Sequence, residues 1–435
     1  MKIQHISNSF MIVQTIDAKI VCDPWVGYGN HGGWHSFPEY NLIDLVELVK
    51  DCTHVYISHL HSDHLDLDFL KAAELFTKKF IIKDFSTSAL KNRLRSINSK
   101  DIIEVEEFKK ISLTKYTDIS IIPQLTSNSS DAEDRINYSL DTSIIFNSEG
   151  ITFFNQVDNP LSLNDFHIVK KFISANYGEL NVACFVCGAA SEYPQCFRGI
   201  DRATEKNTII HRSLKKLKET VEVTMPENTF IAGGTYFIPG KLNSLNKYIA
   251  QPTTNEIQNA ISKITNLIKL EGGASISISE NNQIEIIPAN IKHQTKDIYQ
   301  SIQLHETDLY QHQLYSDIDK NEIMEEFEKA KINYYSKIEN LKIKIERKIV
   351  FKIYENLEID LNLNILSKLS FSLDLFPIAM EKDYIEIHID KSAFLGCLTK
   401  KLIWNQVLSG SLCIFDRSPN TYEPELLFSI NFLTS

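Results

Sequence analysis

Short apolar runs of strand length alternate with polar turns along the first 125 residues. Residues 11–14, 19–22, 54–58, 80–83, 102–105 and 119–122 are rich in Ile, Val, Phe and Tyr, as buried strands require. Residues 65–77 read instead as a helix packed behind the loop that leaves the third of these strands. Residues 126–140 are polar without Pro or Gly, a composition suited to mobility or to a lid facing a substrate. Strand-like runs resume around Ile144, Phe153, Ala183 and Phe230.

Beyond about residue 250 the pattern changes. Ile257, Ala260, Ile261, Ile264 and Ile268 recur at helical spacing within 255–269. Residues 274–278 and 283–287 flank Asn281-Asn282 as a hairpin. A long charged helix over 321–347 carries an apolar stripe: Ile323, Phe327, Ala330, Tyr334, Ile338, Leu341 and Ile345. That stripe suits a core, with a dimerising seam as the other reading. Strands at 350–354, 370–375, 384–389, 411–415 and 425–432 follow, with a helix over 391–407. A chain of 435 residues exceeds what one core usually supports, so the pattern predicts two domains, 1–250 and 251–435.

Composition narrows the function classes. Apolar residues make up 43% of the chain, ample for burial, yet no run approaches the roughly 20 residues of a membrane span. The N-terminus lacks the apolar segment of a signal peptide. Seven scattered cysteines argue for reduced thiols and a cytoplasmic setting, not a disulfide framework. Cys184 and Cys187 have C-x-x-C spacing but lie in an apolar strand, where they read as core. A net charge of −11 speaks against nucleic-acid binding, since the Lys-rich patches alternate with Glu on helix faces.

The chemistry is concentrated in one place. Ser58-His59-Leu60-His61-Ser62-Asp63-His64 packs three imidazoles and a carboxylate into six residues at the end of an apolar run. Polar groups so crowded need a common partner, and a divalent cation satisfies imidazole nitrogens and carboxylate oxygens together. Their place in a loop leaving a strand is where binding and catalysis are usually built.

This H-x-H-x-D-H element resembles the signature of the metallo-β-lactamase superfamily. Further matches are Asp23-Pro24-Trp25 after a short strand, the Gly-Gly-Trp element within 30–38, the Asp-led strand at 141–146, and the strand ending in Asn155-Gln156-Val157-Asp158. These resemble the branch holding L-ascorbate-6-phosphate lactonase, the N-acyl-phosphatidylethanolamine phospholipase D group and CMP-N-acetylneuraminate hydroxylase. Gly188 to Pro194 and Ala232 to Tyr236 are most similar to the last of these. The resemblance covers about the first 250 residues. It implies an α+β, four-layer αβ/βα sandwich followed by a C-terminal α+β accessory domain, similar towards its end to sterol-carrier-like domains.

Carried over by position, the resemblance assigns His59 and His61 to one metal, Asp63 and His64 to a second, and Asp158 to a bridge between them. Asp63 is also the catalytic carboxylate it implies, and Asp23 or Asp66 would orient the imidazoles. Two histidines of the family pattern are missing. No His lies between His64 and Asp158, and none lies near the strand at Phe230 to Phe237. His167 and His211 read as surface residues. Replacement ligands are sought among His31, His35, Asp131, Asp134, Asp141 and Glu192, and a carboxylate-richer set favours iron or manganese over zinc. Arg198, Tyr236 and Lys241 are the candidates for substrate contact.

The cofactor expectation is one or two divalent ions: zinc, iron or manganese. Three functions follow. The first is a hydrolase of an ester, lactone or phosphoester of a small molecule. The second is an iron-dependent hydroxylase with an external electron donor, because the paired C-x-H and C-x-x-H elements of a Rieske cluster are absent. The third is a scaffold that binds without turnover.

Overall fold

Side-chain alternation along the strands sorts the molecule into layers, visible in a computed structural model that describes residues 1–125, 141–279, 282–295, 297–314, 318–375 and 383–435. The first sheet runs Ile284–Ile287, Ser275–Ile278, Lys2–Ser7, Phe10–Gln14, Lys19–Cys22, His54–Tyr56, Lys79–Lys83, Ile102–Val105. Its first five strands are antiparallel neighbours, and from Lys19–Cys22 onward the pairing is parallel. The second sheet repeats the plan: Ile111–Ser112, Thr117–Pro123, Thr142–Ser148 and Ile151–Asn155 are antiparallel, then Val182–Phe185, Asn228–Ile231 and Asn266–Leu267 continue in parallel.

Ile3, Val13, Ile20, Tyr56 and Ile81 of the first sheet meet Ile121, Ile144, Phe153, Val182 and Phe230 of the second in one buried core. The alternate residues face outward and are covered by helices. Val21, Val55 and Phe80 pack under Leu42–Val49, Leu67–Ala72 and Ala89–Arg95. Ile145, Phe154 and Phe185 pack under Leu163–Asn176 and Arg202–Thr224. Period-two strands buried on both faces need this second cover. The result is the four-layer αβ/βα sandwich that the resemblance implies.

The expected boundary at residue 250 does not mark the end of the sandwich. Asn266–Leu267 closes the edge of the second sheet, and Ser275–Ile278 pairs with Lys2–Ser7 in the first. The helix expected over 255–269 stops at Ile261, because Ile268 is drawn into the inter-sheet core. The helix expected over 65–77 is a short one, Leu67–Ala72, followed by a single turn at Leu75–Thr77. The hairpin at 274–287 forms as the sequence indicates.

The remaining chain builds a second sheet-and-helix body. Leu369–Asp374, Lys348–Tyr354, Tyr384–Asp390 and Ile414–Ser418 form a four-stranded sheet in that order. Helix Lys320–Asn340 lays the expected stripe, Ile323, Phe327, Ala330, Tyr334 and Ile338, against it. The helix expected over 391–407 is two, Lys391–Leu398 and Trp404–Ser409, broken where Lys400 takes a positive φ of 60°. The strand expected at 425–432 is helix Pro424–Ile430, with proline at its start, where a missing N–H costs nothing. Its apolar run is too short for periodicity to decide.

This body is not insulated from the sandwich. Its core is continuous with Trp25, Trp34, Phe197 and Tyr236, all from the first 250 residues. Phe197 stacks on Phe415 at 4.8 Å, and Phe415 and Arg198 exchange backbone hydrogen bonds with Cys196 and Phe415 carbonyls at 2.9 and 2.8 Å. Gly33 shows how close the approach is: a Cβ there would lie 2.0 Å from the Gly410 carbonyl oxygen. Only glycine lets the end of helix Trp404–Ser409 rest on the 30–33 loop.

Candidate metal centre

The first sheet delivers its side chains at the carboxyl ends of parallel strands, where open α/β sheets place their sites, and the second adds residues from the strand ends that face them. Strand His54–Tyr56 runs into Ser58, which is locked from below. Its N–H and hydroxyl each donate to the Asp23 carboxylate at 2.7 Å, and its carbonyl accepts from Thr142 at 2.9 Å. Tyr56 donates to Thr142 at 2.7 Å, tying the two sheets together under the loop.

These bonds dictate the imidazole tautomers. The Ser58 proton is committed to Asp23, so Nδ1–H of His59 donates to Ser58 at 2.8 Å. Nδ1–H of His64 donates to Asp23 at 3.1 Å. Both rings are thereby left with Nε2 lone pairs, and both are buried. His64 Nε2 lies 3.1 Å from Asp158 and 3.5 Å from Asp63. His59 Nε2 lies 2.9 Å from His61 Nδ1 and 3.5 Å from Asp141. Lone pairs and carboxylates aimed at one another need a cation or a proton between them.

Two groups of donors can each hold an ion within a 4.8 Å spread, His59–His61–Asp141 and His59–His64–Asp158. The carboxylates come from the second sheet, Asp141 at the head of strand Thr142–Ser148 and Asp158 after Ile151–Asn155. Val157 adopts a left-handed φ of 54° to turn Asp158 inward, a strained choice for a β-branched residue. Asn159 holds the turn by donating to the Ile122 and Pro123 carbonyls at 3.2 Å each.

The electrostatics suit neutral imidazoles beside carboxylates. Burial, with His64 and His61 nearby, pulls the His59 pKa well below the usual histidine value. Burial also disfavours charge on His64, but Asp158 and Asp63 outweigh it and raise that pKa. Burial lifts Asp63, and lifts Asp141 to about 6. Burial opposes ionisation of Asp158 as well, yet His64 prevails and lowers it. The set fits a divalent ion, whose charge would resolve the same conflict.

Above these donors lies a cavity of about 370 Å³. Its walls include Trp34 and Tyr236, stacked at 4.3 Å, and Gln251, Asn405 and Ser409. Asn405 donates to His61 Nε2 at 3.2 Å across 344 residues of chain. The Tyr236 hydroxyl is buried with no hydrogen-bond partner among the described residues.

Among the ligand candidates, the structure brings His59, His61, Asp63, His64, Asp141 and Asp158 together, and Asp23 beneath them. Asp66 instead caps helix Leu67–Ala72. His31 is turned away: its Nδ1–H donates to Gln311 at 2.7 Å and its Nε2 accepts from the Ile403 N–H at 3.0 Å. His35 sits with Glu39 and His305. Asp131 and Asp134 lie outside the described residues. Glu192 is absent from both donor groups, and burial raises its carboxyl pKa.

His167 and His211 are exposed, as read from sequence. Of the substrate candidates, Tyr236 lines the cavity. Lys241 is turned to Asn356 and Asp390 at 2.6 and 3.0 Å, and Arg198 lies 4.0 Å from Asp416, so neither does. Asn405 and Gln251 carried no sequence signal, because their approach depends on chain folded back from far away.

No protein-family model matches the chain. Two curated relatives are named as Rieske 2Fe-2S iron-sulfur proteins. One, of Mycobacterium tuberculosis, is 29% identical over 110 residues, 25% of this chain and 21% of the relative. The other, of Mycolicibacterium smegmatis, is 22% identical over 251 residues, 57% and 46% of the two chains. The chain thus spans less than half the length of either relative. Cys52-Thr53-His54 has C-x-H spacing, but the chain contains no C-x-x-H to complete a Rieske pair.

Among solved structures, CmlA, a diiron β-hydroxylase from Streptomyces venezuelae, overlays with a TM-score of 0.43 at 14% identity, covering 62% of this chain and 53% of CmlA. Isothiocyanate hydrolase from Delia radicum gut bacteria overlays at 0.44 and 13% identity, covering 64% of this chain and 100% of the hydrolase. Among the described residues no helix is long and apolar enough to cross a membrane.

Proposed function

We propose that the chain is a metal-dependent hydrolase in which one or two divalent ions held by His59, His61, Asp63, His64, Asp141 and Asp158 cleave an ester or lactone of a small molecule. The observation that carries it is the pair of donor groups meeting at the floor of the cavity. Bound there, such ions would lower the pKa of water towards neutrality and polarise a substrate oxygen.

The protein's own part is orientation and proton handling. Asp23 fixes the His64 ring, and Ser58 fixes that of His59. Asp63 lines the cavity and is the carboxyl placed to take the proton of the attacking water. Tyr236 offers the unpartnered hydroxyl that a substrate oxygen needs. Trp34 and Tyr236 exclude water from one wall. Among the described residues the cavity lining contains no Lys or Arg, which favours an uncharged reacting group over a phosphoester.

The accessory role expected of the later chain is proposed here for residues 320–435. Helix Trp404–Ser409 supplies Asn405 and Ser409 to the cavity wall and contributes no member of the donor groups. One observation favours a second reading. Asp141 shares a donor group with His59 and His61, and taking it for the missing third histidine makes the set carboxylate-richer, which suits iron and hence a hydroxylase with an external donor.

The test is to load the purified chain with zinc, manganese or ferrous iron and assay p-nitrophenyl acetate and γ-thiobutyrolactone. Turnover with zinc or manganese, lost in Asp158→Ala, supports the hydrolase. A ferrous protein that consumes oxygen on chemical reduction, with no hydrolysis in any metal form, would transfer the assignment to the hydroxylase.

A further inference from the structure

A second cluster of donors lies outside the six residues just described. His35 is on the short strand Trp34–Ser36, Glu39 on Glu39–Tyr40, and His305 directly follows helix Ile298–Leu304. Each offers a ligand atom within 4.8 Å of the others. His35 and Glu39 are buried, and the His305 side chain is 19% exposed. We infer that His35, Glu39 and His305 form a second divalent-cation site, suited to zinc, which clasps the 293–308 segment to the loop at 28–40.

The hydrogen bonds around the cluster carry the inference. Nδ1–H of His35 donates to the Ser36 carbonyl at 3.0 Å, leaving Nε2 free to ligate. Nδ1 of His305 lies 2.5 Å from the Asp308 carboxylate, and its Nε2 faces Glu39 at 2.9 Å. Thr295 donates to the other Glu39 oxygen at 3.3 Å. Each imidazole is thus anchored through its far nitrogen to a carbonyl or a carboxylate, the arrangement that orients zinc-binding histidines.

Two imidazoles and one carboxylate form a zinc donor set with a position left open. Phe237 stacks on His35 at 5.0 Å, Tyr28 meets it edge-on at 4.7 Å, and the two imidazoles lie 4.5 Å apart. These rings wall the cluster and hold its geometry.

The clasp has a mechanical meaning. Glu39–Tyr40 pairs with His293–Thr295, a contact of two short strands that is weak on its own. The loop so fastened includes Tyr28 and Asn30, which line the groove in front of His61. An ion at the cluster would fix one rim of that groove. A proton on His305, flanked by Glu39 and Asp308, would balance the same charges without an ion, and the experiment has to separate the two.

The full-length chain carrying His61→Ala and Asp158→Ala, stripped with a chelator and titrated with zinc, isolates the cluster. One zinc per chain should remain in this background and disappear on adding Glu39→Gln. Asp308→Asn should weaken it by about 10- to 100-fold, as loss of an orienting carboxylate does elsewhere. Cobalt substitution should give d–d bands of a tetrahedral or five-coordinate nitrogen-and-oxygen site. Absence of zinc from the His61→Ala, Asp158→Ala chain would overturn the inference. So would a thermal midpoint lowered equally by Glu39→Gln with and without chelator, since that is the signature of a proton-balanced bridge. Should the His61→Ala, Asp158→Ala chain fail to fold, the zinc count of otherwise wild-type Glu39→Gln decides: one equivalent fewer supports the site, an unchanged count refutes it.

Discussion

The two sheets of the sandwich contribute to the central site in opposite ways. The first sheet supplies three imidazoles and a carboxylate from one loop, His59 to His64, whose tautomers are set by Ser58 and Asp23. The second supplies only carboxylates, Asp141 and Asp158, from separate strand ends. One half is prearranged by contacts among loops of a single sheet, and the other depends on sandwich packing to arrive. The imidazole count is therefore fixed by one loop, whereas the hardness of the site depends on the carboxylates that arrive from the other sheet.

Removing a donor from the first sheet should have the largest effect. His61→Ala should abolish one bound metal per chain and lower kcat/KM by about a thousandfold, several kcal/mol of lost cation assistance. Metal analysis after dialysis, with an ester assay, checks both. Retained metal in this variant would mean that His59 and Asp141 hold the ion without His61.

A smaller loss should follow from the support beneath the loop. Asp23→Asn keeps the shape but weakens the acceptor that fixes His64. Metal affinity should fall by about 10- to 100-fold while the metal count at saturation stays unchanged. A calorimetric titration distinguishes this from outright loss of a ligand.

Gly33→Ala probes the roof, not the donors. Its Cβ would meet backbone at 2.0 Å, so one of two packed loops must shift. Overpacking of this kind should cost about 1–3 kcal/mol, read by urea denaturation, and should raise KM more than it lowers metal content. Equal losses of both would show that roof and donors form one unit.

The last predicted effect is on acid stability and lies outside the donor groups. His388 is buried against Tyr354 at 2.9 Å, with Glu386 at 3.6 Å and with Arg198 and Lys352 in its surroundings. Burial first, then Arg198 and Lys352, lower its pKa to about 3. The unfolded chain takes up this proton near 6.5 and the folded chain does not, so stability declines as pH falls from 6.5 towards 3. His388→Gln should flatten the thermal midpoint across that window, and an unchanged slope would place the acid sensitivity elsewhere.

Legibility follows the same division between local and distant. The H-x-H-x-D-H loop was readable because its donors are neighbours in sequence, and the sandwich because its strands keep strict alternation. Asp141 was named as one of several carboxylates, since heading the strand at 141–146 did not by itself aim it at the histidines. The domain limit was misplaced because Ser275–Ile278 completes a sheet begun at residue 2. His35 was considered for the central site, but the stacking of Phe237 and the position of His305 hold it elsewhere. The roof residue Asn405 was invisible, its partner lying 344 residues away.

In the proposed centre Asp141 stands in for the missing histidine. Crystals grown with manganese, measured at a wavelength where manganese scatters anomalously, test it most directly. A peak is expected in contact with His59, His61 and Asp141, and a second near His64 and Asp158 where both sites fill. A well-occupied peak at His59 and His61 with the Asp141 carboxylate turned to solvent, its place taken by another residue, would contradict it.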